Sequence, residues 1–100
     1  MLTFSKQEFM SRLHNATEEL LGLVLSTEDK DEATRLFDKR SAVEECLAWW
    51  FSMTIDLDED ESYLRLSDFR EVINYTISTG SYPETRSEGY KLVLSYIDEY

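Results

Sequence analysis

An all-α fold, a compact bundle of four or five short helices, is the class this 100-residue sequence predicts. Three observations predict it. Apolar residues recur at three- and four-residue intervals along most of the chain, side chains suited to helix caps stand ahead of those stretches, and 3 Gly with 1 Pro leave little material for long turns. An apolar fraction of 42%, with 13% aromatic, is enough to fill one core, so the chain reads as a single domain over 1–100. No internal repeat, flexible linker or low-complexity segment interrupts it.

The first helix is announced by Ser5 and Glu8, a capping box in which each side chain can satisfy a backbone donor at the helix start. Phe4 and Phe9 occupy the two positions of a hydrophobic staple across that cap. Behind them Phe9, Leu13, Ala16, Leu20 and Val24 form one apolar stripe, which carries the helix to about Leu25. Ser26 and Thr27, followed by Glu28 and Asp29, predict the head of a short second helix running through Phe37. Ser41 and Glu44 repeat the capping-box spacing and predict a third helix with Val43, Cys46, Leu47, Trp50 and Thr54 on one face, so a break over 38–40 is the first expectation and a single helix joined through Asp38 to Arg40 the alternative.

Met53 to Leu57 and Tyr63 to Leu66 partly alternate apolar with polar residues, so 53–66 reads either as a minor β-hairpin with acids at its tip or as a loop. Ser67 then caps a helix whose Phe69, Val72, Ile73, Thr76 and Ile77 form the next stripe, and Gly80 stops it. Pro83 suits the first turn of a last helix, where its missing donor costs nothing, and Tyr90, Val93, Leu94 and Ile97 supply the stripe despite Gly89. A buried strand over 91–97 is the alternative there, because Val93, Tyr96 and Ile97 favour strands.

Charge narrows the function. The net charge is −11, from 21 acids and 10 Lys and Arg, and five carboxylates fall within Asp56-Leu57-Asp58-Glu59-Asp60-Glu61. So dense a block must stay hydrated at the surface and project a negative field. Nucleic acid and anionic membranes would be repelled, so neither is an expected partner, and the field favours a basic protein. A second acidic run, Glu28-Asp29-Lys30-Asp31-Glu32, stands apart from the first. The longest apolar run, Leu20 to Leu25, is far short of the roughly 20 residues that span a bilayer. With a lone cysteine, and no basic segment leading into a long apolar run at the start, the expected setting is cytoplasmic.

Catalytic and metal chemistry find little support. Cys46 and His14 are the only cysteine and histidine; a nucleophilic dyad would need them to meet across two helices with a third group to orient the base. Cys46 falls on an apolar stripe, where free cysteine is a small buried hydrophobe. There is no glycine-rich phosphate loop or dinucleotide fingerprint. Asp56, Asp58 and Asp60 match the first ligand positions of a calcium loop, but the required glycine is replaced by Glu61 and the terminal glutamate by Ser67. The sequons at Asn15 and Asn74 fall inside helices and read as chance matches. The expectation is a protein that is no enzyme and has no cofactor or metal.

What remains is a binding surface. Trp49, Trp50 and Phe51 are consecutive, and residues 100° apart on a helix cannot all face one core, so with Trp50 in the core Trp49 either packs under a neighbouring helix or is an exposed interface anchor. All 6 tyrosines lie between Tyr63 and Tyr100, with Tyr82 and Tyr100 the two a core least needs. The expected partner-binding residues are Asp56, Asp58, Glu59, Asp60 and Glu61 for electrostatic steering, with Trp49, Tyr63 and Tyr82 as anchors. The first expectation for function is an immunity protein that neutralises a basic, nuclease-type bacterial toxin by occluding its active site. A phage-type nucleic-acid mimic acting on restriction, CRISPR or other DNA-binding proteins is the alternative, and a structural or regulatory subunit the second. The oligomeric state is left open by the sequence.

Overall fold

The computed structural model describes residues 3–80 and 82–100. Among them are five α-helices and no strand: α1 (Lys6–Ser26), α2 (Lys30–Thr54), α3 (Glu59–Leu64), α4 (Leu66–Thr79) and α5 (Glu84–Ile97). The all-α bundle is therefore the observed class. The first helix begins as its cap requires: Ser5 is extended, its hydroxyl accepts from the Glu8 backbone N–H at 3.3 Å, and the Phe4 and Phe9 rings lie 6.1 Å apart across the start.

Several expectations are corrected. The break over 38–40 does not occur, because α2 is one continuous helix of 25 residues. Its cap is Asp29, whose carboxylate accepts from the N–H groups of Asp31 at 2.8 Å and Glu32 at 3.1 Å. Ser26 and Thr27 instead donate their hydroxyls back to the Leu23 carbonyl and finish α1. Ser41 is a mid-helix residue whose hydroxyl donates to the Phe37 carbonyl at 3.0 Å, and Arg40 pairs with Glu44 one turn on. With no Gly or Pro between residues 30 and 54, nothing interrupts the backbone ladder.

Residues 53–66 form neither hairpin nor simple loop. Helix α2 runs on to Thr54, a short turn follows, and the acids open α3, with Asp58 accepting from the Glu61 N–H at 2.8 Å. Carboxylates at a helix N-terminus complement the dipole, so the same acids that suggested a loop tip favour a helix start. Because α3 passes into α4 through Arg65 alone, which keeps helical angles (φ −76, ψ −12), α4 starts at Leu66 and Ser67 has no cap to make. Gly80 ends α4 in an extended conformation (φ −71, ψ 132), and a side chain there would collide with the Tyr82 ring and the Thr76 carbonyl. Tyr100, expected to be one of the two tyrosines a core least needs, instead packs its ring 5.5 Å from Phe4 and 5.7 Å from Phe9. The strand alternative at 91–97 gives way to the helix α5.

Helices α1 and α5 both lie along α2, and α4 closes the end. Phe9 and Leu13 from α1, Val43, Cys46 and Trp50 from α2, Phe69 and Ile73 from α4, and Tyr90, Val93 and Ile97 from α5 form the core. Trp50 is its centre, with Phe9 edge-on at 5.1 Å and Phe69 tilted at 5.1 Å. Such aromatic pairs contribute about 1 kcal/mol each beyond the area they bury. Gly89 lets α5 approach α2: a methyl group there would overlap the Lys39 carbonyl and stand 2.7 Å from the Ala42 Cβ. Beside that contact the Tyr90 hydroxyl donates to Glu45 at 3.0 Å, and Arg86 binds both Glu45 and Tyr90.

Candidate protein-binding face

The acidic block is presented by a helix too short to bury much. Only Ser62 of α3 is buried, so Glu59, Asp60 and Glu61, fanned at 100° steps, all reach solvent, with Asp56 and Asp58 exposed just before them. Lys6 anchors the segment from α1: its ammonium donates to the Thr54 carbonyl and, at 2.9 Å, to that of Leu57, while its backbone N–H donates to the Glu59 carboxylate. The ammonium is thus turned onto backbone carbonyls at the end of α2.

The arginines leave this block bare. Arg12 pairs with Glu99, Arg35 with Glu32 and Glu88, Arg40 with Glu44, Arg65 with Asp68, Arg70 with Asp98 and Arg86 with Glu45. These are all of the chain's arginines. Among the described residues, no cationic side chain forms an ion pair with Asp56, Asp58, Glu59, Asp60 or Glu61. The run at 28–32 differs: Asp29 is engaged as a cap, and Arg35 hydrogen-bonds Glu32 and holds its carboxyl below the ordinary range.

The expected anchors separate into two groups. Tyr63 sits on α3 with its ring 5.5 Å from Phe4, and it is 45% exposed. Phe4, Glu59, Asp60, Tyr63, Leu64 and Tyr100 border a cleft of about 410 Å³, which brings carboxylates and aromatic rings together. Trp49 and Tyr82 instead join Tyr90. Trp49 stacks on the Tyr90 ring at 6.1 Å and 5° and is half-buried at the α2–α5 contact; Tyr82, exposed, lies 6.0 Å from Tyr90 with the Arg86 guanidinium 5.3 Å over its ring. The site residues missed by sequence reasoning are Leu64 (73% exposed) and Ile55 (56%), apolar side chains that flank the acids. Only the placement of α3 reveals them, since both look like core residues in the sequence.

Cys46 is fully buried, and burial pushes its thiol up to about 12, whereas His14 is exposed on α1 beside Glu18. The two do not meet as a dyad. Among the described residues no group of three or more His, Cys, Asp and Glu converges as metal ligands would, and no helix is long and apolar enough to cross a membrane. No family model, curated protein or solved structure matches this chain.

Proposed function

We propose that this chain is an acidic binding protein whose α3 face docks on a basic protein, in the manner of an immunity protein covering the active site of a nuclease-type toxin. One observation carries the reading. Asp56, Asp58, Glu59, Asp60 and Glu61 form an exposed row beside Tyr63 and Leu64 with no ion pair among the described residues, while every arginine is paired elsewhere. A concentrated field of that kind accelerates encounter with a basic surface, and adjoining aromatic and aliphatic side chains slow dissociation. Nuclease active sites and substrate grooves are basic because they bind phosphate backbones, which makes them natural complements. The nucleic-acid-mimic reading draws less support: the acids gather at two helix starts, and the arginine pairs interrupt any phosphate-like row.

Affinity capture from the native host, eluted with rising salt, tests this directly. The expected result is a basic domain that is toxic when expressed alone and harmless when co-expressed with this chain. Recovery of a restriction, CRISPR or other DNA-binding enzyme would move the case to mimicry, and capture of nothing that depends on the α3 acids would end both readings. The paired variant Asp56→Lys with Asp60→Lys leaves the Asp58 cap intact. It should weaken binding at least tenfold and flatten its salt dependence.

A further inference from the structure

We propose that the outer face of the α1–α2 pair is a self-association surface on which a second copy of this chain docks about a two-fold axis. Helix α5 covers one side of α2: Thr85 bonds Asp38, Gly89 meets Lys39 and Ala42, Arg86 binds Glu45, and Trp49 stacks on Tyr90. At 100° per residue, Arg40, Glu44, Leu47 and Phe51 fall on the opposite side. There they face Met10, His14 and Glu18 of α1 across a groove of about 700 Å³.

The apolar face continues beyond the groove. Phe37 lies on the same stripe of α2 as Arg40, Glu44 and Phe51, and Leu25 on the same stripe of α1 as Met10 and His14. Phe37 is 53% exposed, Phe51 49% and Leu25 78%, so large side chains on both helices are without cover.

Charge selects the occupant. Two copies at −11 each repel, so they can meet only where charge is locally balanced. This face comes close to balance: Arg40 pairs with Glu44, which leaves Glu18 as the one charge unmatched among the side chains that line the groove. It offers no bare acid row to a basic partner. The Arg40–Glu44 pair is also self-complementary. A two-fold axis level with its midpoint, with the α2 helices antiparallel, sets Arg40 against Glu44 of the second copy and the reverse, and brings Phe37 level with Leu47. That reciprocity is what an isologous interface requires. About that axis Phe51 comes level with Ala33, so the face runs over 33–51, roughly 27 Å long and about 20 Å across two helices, on the order of 500 Å² per copy. A stable interface needs about 800 Å² per partner, so the dimer is concentration-dependent rather than permanent.

Sedimentation of the full chain over a wide concentration range, at low and high salt, is the test. The mass should rise from 11.8 kDa towards twice that value, more readily in salt, where the net repulsion is screened. Phe51→Glu and, independently, Ala48→Glu place a carboxylate on exposed positions and should hold the chain at 11.8 kDa with its helical circular dichroism unchanged. Arg40→Glu and Glu44→Arg should each lose association alone and regain it when mixed, because each then supplies the charge the other lacks. A wild-type chain that stays monomeric throughout, a dimer indifferent to Phe51→Glu and Ala48→Glu, or folded single variants that fail to associate on mixing would each overturn the proposal. So would a groove that binds an unrelated amphipathic helix while the chain itself stays monomeric.

Discussion

Tyr90 links a single buried side chain to the pH range in which the protein is stable. Its ring is fully buried, and burial is the main cause that pushes its phenol up to about 12, with the Arg86 hydrogen bond opposing and Glu45 adding to the rise. An unfolded tyrosine ionises near pH 10. An acid whose folded value is raised stabilises the fold in its neutral form, so this contribution is complete below about pH 10 and is lost as pH climbs towards 12. Tyr96 is shifted the same way by burial and steepens the same limb. Tyr90→Phe keeps the ring contacts to Trp49 and Tyr82 but removes the hydroxyl that donates to Glu45 and accepts from Arg86. The variant should lose about 1–2 kcal/mol at neutral pH and show a shallower alkaline fall in melting temperature. An unchanged alkaline slope would mean that other groups govern unfolding there.

At the scale of elements, the same short pattern of serine and glutamate has opposite outcomes at two places. Ser5 with Glu8 caps α1, and Ser41 with Glu44 lies in the middle of α2. The difference is what lies upstream: an extended residue can cap, whereas a serine already inside a continuous ladder bonds back to the carbonyl four residues earlier. Asp29→Ala should therefore cost about 1 kcal/mol, while Ser41→Ala should be neutral or stabilising by a few tenths, since alanine is the better helix former. Urea unfolding of the two variants measures both; equal losses would restore a cap at Ser41. The stripes of α1, α4 and α5 were legible because each rests on local periodicity, apart from Val72 of α4, which is exposed, and so was the acidic row, because charge density needs no tertiary context. The helix start at Asp58 was not, since acids serve loops and helix N-termini alike. Nor was the division of the anchors: the stack of Trp49 on Tyr90 spans two helices far apart in sequence and exists only because Gly89 lets α5 close on α2.

Across the whole molecule, two electrostatic effects oppose each other, and their sizes decide the response to salt. The ion pairs are mostly exposed, with Arg65–Asp68 and Arg70–Asp98 about half accessible on both sides, and pairs of that kind are worth about 0–1 kcal/mol. Against them stands the repulsion within a chain of charge −11, concentrated at Asp56 to Glu61, whose carboxylates form no ion pair among the described residues. Screening acts on both, but at about 0.1 M salt the screening length is about 10 Å, which removes repulsion among the spread-out acids more completely than attraction across a 3 Å pair. Melting temperature should therefore rise with added sodium chloride. Asp56→Asn with Asp60→Asn should raise it further at low salt and shrink the salt-dependent gain, with Asp58 kept as the cap of α3. Under the proposed function the same two substitutions weaken partner binding, so stability and affinity move in opposite directions, as expected where a surface is held in a repulsive state for its partner. If salt instead lowers the melting temperature, the arginine pairs dominate the electrostatics of the fold, and the bare acids exact no cost from it.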